Sequence, residues 1–345
     1  MDTRRRLRLT ALAGVAALAL SGCGFFSTAP AVDEETATTE GTNEAPMLAA
    51  LVESGRLPPL AERLPADPVV VQPHREVGVY GGEWNSALTG VGDWPWLGRT
   101  VAYENLTRWS TDWQQVIPNL AESWEYNADA TQLTYHLREG LRWSDGAPFT
   151  SRDIEFALND VLGNPEVSPD AVNDPGRVTV IDDTTFTITW QEPDALFHAH
   201  DLFNYQIVNK PRHYLEQFHL AYNPNAQQLA EEHGFASWID MLDIRAGVTN
   251  SSLTFQNPDL PTMNAWRVVE PLADSGRMVL ERNPYYWKVD TEGNQLPYID
   301  RVVFDIVPDR EVMLTRALNG DFDMHSRHFN TLANRPVLAL SLIHI

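Results

Sequence analysis

From Thr131 the chain reads Thr131-Gln132-Leu133-Thr134-Tyr135-His136-Leu137, then Trp143-Ser144-Asp145-Gly146, then Thr150-Ser151-Arg152-Asp153 ahead of an apolar run. Leu133, Tyr135 and Leu137 recur every second residue, the period of a strand with one buried face. Ser144-Asp145-Gly146 is turn chemistry. Thr150 stands three residues before Asp153, close to a capping box with Asp in the acidic position. Ile154, Ala157, Leu158 and Val161 then follow at helical spacing until Asn164-Pro165 stops the helix. Strand, turn and capped helix in one stretch predict an α/β fold.

Outward from this stretch, strands and helices mix without a strict βαβ rhythm. Arg177–Ile181 and Thr185–Trp190 flank Asp182-Asp183-Thr184 and read as a hairpin. Ala265–Val269 and Arg277–Arg282 read as paired strands, and Val302–Val307 as another. Helices are expected over Met47–Ser54, Arg212–His219 with Pro211 ahead of it, Ala226–His233 before Gly234, and Asp309–Asn319 before Gly320. Pro65 and Pro68 lead an extended stretch into Val69-Val70-Val71. No internal repeat and no Gly-rich phosphate loop is present.

The 345 residues are 43% hydrophobic and 21% charged, a globular composition long enough for more than one compact unit. The net charge of −22 sets nucleic acid aside as a partner. At the N-terminus, Arg4, Arg5, Arg6 and Arg8 precede a short apolar run from Leu9 to Leu20. The run is too short to span a bilayer and reads as a secretory h-region. Leu20-Ser21-Gly22-Cys23 resembles the bacterial lipobox, which implies lipidation of Cys23 and removal of residues 1–22. Cys23 is the single cysteine, so no intramolecular disulfide forms. Residues 23–45 are rich in Thr, Ala and Glu and are expected to be a tether that cannot offset its own ordering entropy.

Several blocks resemble the large solute-binding proteins of peptide, nickel and related ABC importers. They are Tyr103-Glu104-Asn105-Leu106, Pro118-Asn119-Leu120-Ala121-Glu122-Ser123-Trp124, Tyr135-His136-Leu137-Arg138-Glu139-Gly140, the Trp143–Phe149 turn with Asp153, Glu281-Arg282-Asn283-Pro284-Tyr285-Tyr286-Trp287, and Gly320-Asp321-Phe322-Asp323. Their order, from about Val69 to Asp323, is what makes the likeness specific. One departure is Thr262-Met263-Asn264-Ala265, where the family has a Gly-rich turn. The stretch Val289–Tyr298 is similar to a subgroup holding both peptide-type and oligosaccharide binders.

The resemblance implies a two-lobed periplasmic-binding-protein-like α/β fold with mixed sheets, of which only the first lobe and its inserted subdomain are present. The expected organisation is a signal peptide over 1–22, the tether over 23–45, the lobe over 46–103 and 176–325, the inserted subdomain over 104–175, and the start of a second lobe over 326–345. Family members are considerably longer. The final Leu340-Ser341-Leu342-Ile343-His344-Ile345 reads as one frame of a transposon sequencing adapter, so a truncated gene reading is expected.

The function implied is a solute-binding lipoprotein that captures an oligopeptide-type ligand for an ABC permease and ATPase complex. The alternatives are an oligosaccharide binder of the same family and a secreted carbohydrate-active enzyme. The enzyme would need two carboxylates facing across a cleft, and no such pair is marked. An adhesive surface lipoprotein would carry repeats or a stalk. No nucleophile elbow, zinc motif or cofactor motif appears, and no cofactor is expected. His198 and His200 lack a third ligand at metal-binding spacing. Of 11 tryptophans, Trp84, Trp124, Trp143, Trp190 and Trp287 are expected in the core. Asp93, Trp94 and Trp96 sit in an expected loop before Tyr103, in the region that by resemblance approaches the cleft between lobes. These four are the expected ligand contacts, the indoles offering flat faces to sugar rings or peptide side chains.

Overall fold

The structure, a computed structural model, describes residues 43–169, 175–200, 207–274 and 276–342, all within the compact unit from Thr39 to Ile345. Cys23, the signal segment and most of the tether lie outside the described residues.

The strands in chain order are β1 Val69–Val71, β2 Glu83–Leu88, β3 Thr107–Trp109, β4 Val116–Pro118, β5 Ala121–Tyr126, β6 Gln132–Leu137, β7 Arg177–Val180, β8 Thr185–Thr189, β9 Trp266–Glu270, β10 Arg277–Arg282, β11 Lys288–Asp290 and β12 Arg301–Ile306. One antiparallel sheet runs β5-β6-β8-β7. Tyr135 faces Phe186 and Leu133 faces Ile188 across β6 and β8, and all four side chains are fully buried. The alternation seen in the sequence is thus the inner face of this sheet. The sheet takes strands from both sides of position 175, so it runs across the expected subdomain boundary there.

The Thr150 capping box is formed. Asp153 accepts from the Thr150 N–H at 2.8 Å, and the Thr150 hydroxyl accepts from Arg152. The α-helix Ser151–Glu155 continues as π-helical turns over Phe156–Leu162. Ile154 and Leu158 reach the sheet's core, whereas Phe156 and Val161 enter a neighbouring helical core. Trp143 is fully buried, edge-on to Phe149 at 5.2 Å, and donates to Asp153 at 3.2 Å. Gly146 has φ 91°, and a Cβ there would come within 2.7 Å of the Tyr285 ring. The Trp143–Gly146 turn is therefore a structural joint.

The second sheet runs β2-β12-β10-β9, with β2 and β12 parallel and the other pairs antiparallel. Trp84, Leu88, Leu280, Val302 and Phe304 share its core. β1 and β11 pair separately as a parallel two-stranded ribbon. An arm over residues 44–65 is held against it by Arg63, which is fully buried and donates to Glu44, to the Pro58 and Pro284 carbonyls and to Gln295. A helical core gathers Phe156, Leu215, Ala230, Trp238 and Met241. Beside it Lys210 is buried, and its ammonium donates to the Ala246 carbonyl at 2.9 Å, at the carboxyl end of the helix Trp238–Ala246.

The Thr262–Ala265 turn holds without glycine because side chains pin it. Ser144 and Thr262 exchange two 3.0 Å hydrogen bonds, and Asn283 donates to the Asn264 carbonyl at 2.8 Å. Trp84, Trp143, Trp190 and Trp287 are buried and Trp124 packs on the same core as Trp143, as expected.

Candidate functional site

β2 and β12 run side by side and end together at Leu88 and Ile306. Beyond the carboxyl end of β2 the chain does not form the expected loop. It makes a single 3-10 turn over Val91–Asp93 and then the α-helix Trp94–Thr100. Pro95 stands in the stretch expected as a loop; in the fold it occupies the first helical turn, where its missing N–H costs nothing.

Asp93 is 3% exposed. Its carboxylate accepts from the Thr89 N–H and hydroxyl, both at 2.6 Å. It also meets His328 at 2.7 Å and Arg327 at 3.3 Å. Burial alone would push its carboxyl up, but the hydrogen bonds from Thr89 and His328 outweigh burial and hold it below the ordinary carboxylate value. Asp93 thus joins the end of β2 to the 325–329 segment, and its oxygens face protein donors. Trp94 and Trp96 are half-buried against the β2-β12 core. Trp96 stands edge-on to His325 at 6.0 Å, and its indole N–H is buried without a hydrogen-bond partner among the described residues. His325 in turn contacts the Ser86 hydroxyl at 3.0 Å and packs on Phe329.

The run Met324-His325-Ser326-Arg327-His328 was not singled out in the sequence, although two imidazoles and a guanidinium in five residues were legible there. The fold brings it to Asp93 and Trp96. Tyr103 is separate. It lies at the amino ends of β2 and β12, 44% exposed, on a cavity of about 390 Å³ shared with Arg108, Trp266 and Lys288.

Beside that cavity Glu104 and Lys288 form a buried pair, the ammonium 2.9 and 2.8 Å from the two oxygens. Tyr286 and Asn119 also donate to Glu104, at 2.7 and 2.8 Å. Burial pushes the Glu104 carboxyl up, yet the Lys288 charge and these hydrogen bonds leave it below its ordinary value. Burial pulls the Lys288 ammonium down to about 8, against the Glu104 charge. His198, considered above for metal, stacks on Trp124 and bonds Tyr126 at 3.1 Å. No group of three metal-binding side chains occurs among the described residues.

The geometry can be set beside known proteins. The family model described as bacterial extracellular solute-binding proteins, family 5 Middle, matches residues 115–335. The periplasmic alpha-galactoside-binding protein of Rhizobium meliloti (strain 1021) is 31% identical over 300 residues, covering 79% of this chain and 40% of its own length. A solved oligopeptide-binding protein OppA is 36% identical with a TM-score of 0.80, covering 87% of this chain and 47% of its own. The binding protein MelB of Agrobacterium fabrum C58, solved with stachyose, is 27% identical with a TM-score of 0.62, covering 81% and 43%. The chain spans less than half the length of these relatives.

Proposed function

We propose that the chain, which belongs to family 5 of the bacterial extracellular solute-binding proteins, captures an oligopeptide-type solute outside the cytoplasmic membrane and delivers it to an ABC permease and its ATPase. The observation that carries the peptide reading is the likeness to the oligopeptide-binding protein, which extends over 87% of this chain. A second reading, an oligosaccharide, is favoured by the alpha-galactoside-binding relative and the stachyose complex. For either solute we propose a site at the carboxyl ends of the parallel strands, the end where open α/β sheets bind ligands. There Trp94 and Trp96 supply aromatic faces, and Asp93 sets the helix that carries them. The proposed role is capture and release, with no catalytic step.

Titration calorimetry on the longest product of the source locus, with tri- to pentapeptides and with stachyose, separates the two readings. Trp96→Ala is expected to weaken the preferred solute by about 1–3 kcal/mol, the scale of one large side chain's burial. Unchanged affinity in both Trp94→Ala and Trp96→Ala moves the site elsewhere. We further propose an anchor at Cys23, where two or more acyl chains give stable attachment. A mature protein whose mass carries no acyl adduct contradicts that anchor.

A further inference from the structure

The cavity beside Tyr103 lies at the opposite end of the β2-β12 pair from the proposed solute site. Its volume of about 390 Å³ falls within the roughly 300–1,000 Å³ of small-molecule sites. Val71, Val101, Trp266, Leu296 and Ile299 make most of its wall apolar. Of its charged lining groups, Glu104 and Lys288 are engaged with each other and cancel. Arg108 is different. Its guanidinium lies 6.0 Å from the centre of the Tyr103 ring, and no carboxylate among the described residues forms an ion pair with it. The pocket therefore carries one uncompensated positive charge beside an apolar chamber. The Arg108 charge is felt inside it, since it also disfavours the protonated form of Lys288.

We propose that this pocket binds a small organic anion, a single carboxylate on an apolar body about the size of an aromatic ring with a short chain. The carboxylate pairs with the planar fork of Arg108, which suits two parallel N–H···O bonds. The body lies against Trp266 and Ile299, and the Tyr103 ring stands at the mouth. A neutral analogue of the same shape fills the chamber but leaves Arg108 without a counter-charge. A doubly charged or sugar-like ligand would bring polar groups to apolar walls that cannot satisfy them.

The probe is 3-phenylpropionate, compared with 3-phenylpropanamide, by titration calorimetry on the chain at pH 7 and low salt. The acid is expected to bind at least ten-fold more tightly than the amide. Arg108→Gln is expected to remove that preference, with its thermal midpoint close to that of the parent because no carboxylate among the described residues forms an ion pair with Arg108. Arg108→Lys keeps the charge without the fork and is expected to fall between. Absence of acid binding, equal binding of acid and amide, or an acid preference that survives Arg108→Gln overturns the proposal. Should Arg108→Gln fail to fold, the comparison of acid with amide on the parent and on Arg108→Lys decides.

Discussion

Glu104→Gln is expected to lower the unfolding free energy by about 3–5 kcal/mol, the cost of leaving one buried charge without its partner. Glutamine keeps the shape of the side chain and one acceptor oxygen. It cannot keep both contacts to the Lys288 ammonium, and its amide N–H groups meet the Lys288, Asn119 and Tyr286 donors. Lys288 is 2% exposed, so water does not replace the lost carboxylate. The double variant Glu104→Gln with Lys288→Met removes the stranded charge and is expected to recover most of the loss. Urea unfolding of the parent, both single variants and the double variant checks this. A loss below about 1 kcal/mol in Glu104→Gln would show that the pair is not buried as described.

The second large effect is a dependence of stability on pH. Burial pulls the Lys210 ammonium down to about 7, against the charge of Asp243, whereas an unfolded lysine titrates near 10.5. Between these values the unfolded chain holds a proton on Lys210 that the folded chain does not. Stability therefore rises with pH across that window and loses this contribution as pH falls through 7. The slope from one such group is at most about 1.4 kcal/mol per pH unit. Lys288, depressed to about 8, adds in the same direction above that pH. Lys210→Met removes one of the two contributions. It is expected to reduce the gain in urea stability between pH 7.5 and 9 by about 2 kcal/mol. An identical gain in parent and variant would show that Lys210 keeps its proton in the fold.

What the sequence made legible was local. The period of Leu133, Tyr135 and Leu137, the Thr150–Asp153 cap and the Asp182-Asp183-Thr184 hairpin are each set by neighbours a few residues apart, and each stands in the fold where the pattern put it. The Trp94–Thr100 helix was hidden because Pro95 carries two meanings, punctuation in a loop or the first turn of a helix. The helix Trp238–Ala246 was missed although Ser237 caps it and Gly247 closes it in the left-handed conformation. Long-range pairing left no local mark. Nothing in Val69–Val71 names Lys288–Asp290 as its partner, and nothing in Asp93 names His328. Likewise, nothing around Arg108 names the residues between 264 and 299 that line the same cavity.

That distance between partners has a consequence for the order of events during synthesis. The four strands β5 to β8 lie within seventy residues of one another, and their sheet can form as soon as Thr189 is available. Among the described residues β2 pairs only with β12, which is made more than two hundred residues later. β1 waits as long for β11, and Arg63 slightly longer for the Pro284 carbonyl and Gln295. Closing such loops is entropically slow and is not rewarded until both ends exist. The stretch from Arg63 to Leu88 is thus made early and is among the last to be locked in place. A nascent chain in this condition leaves these strand edges unpaired and exposed to whatever else is being made nearby.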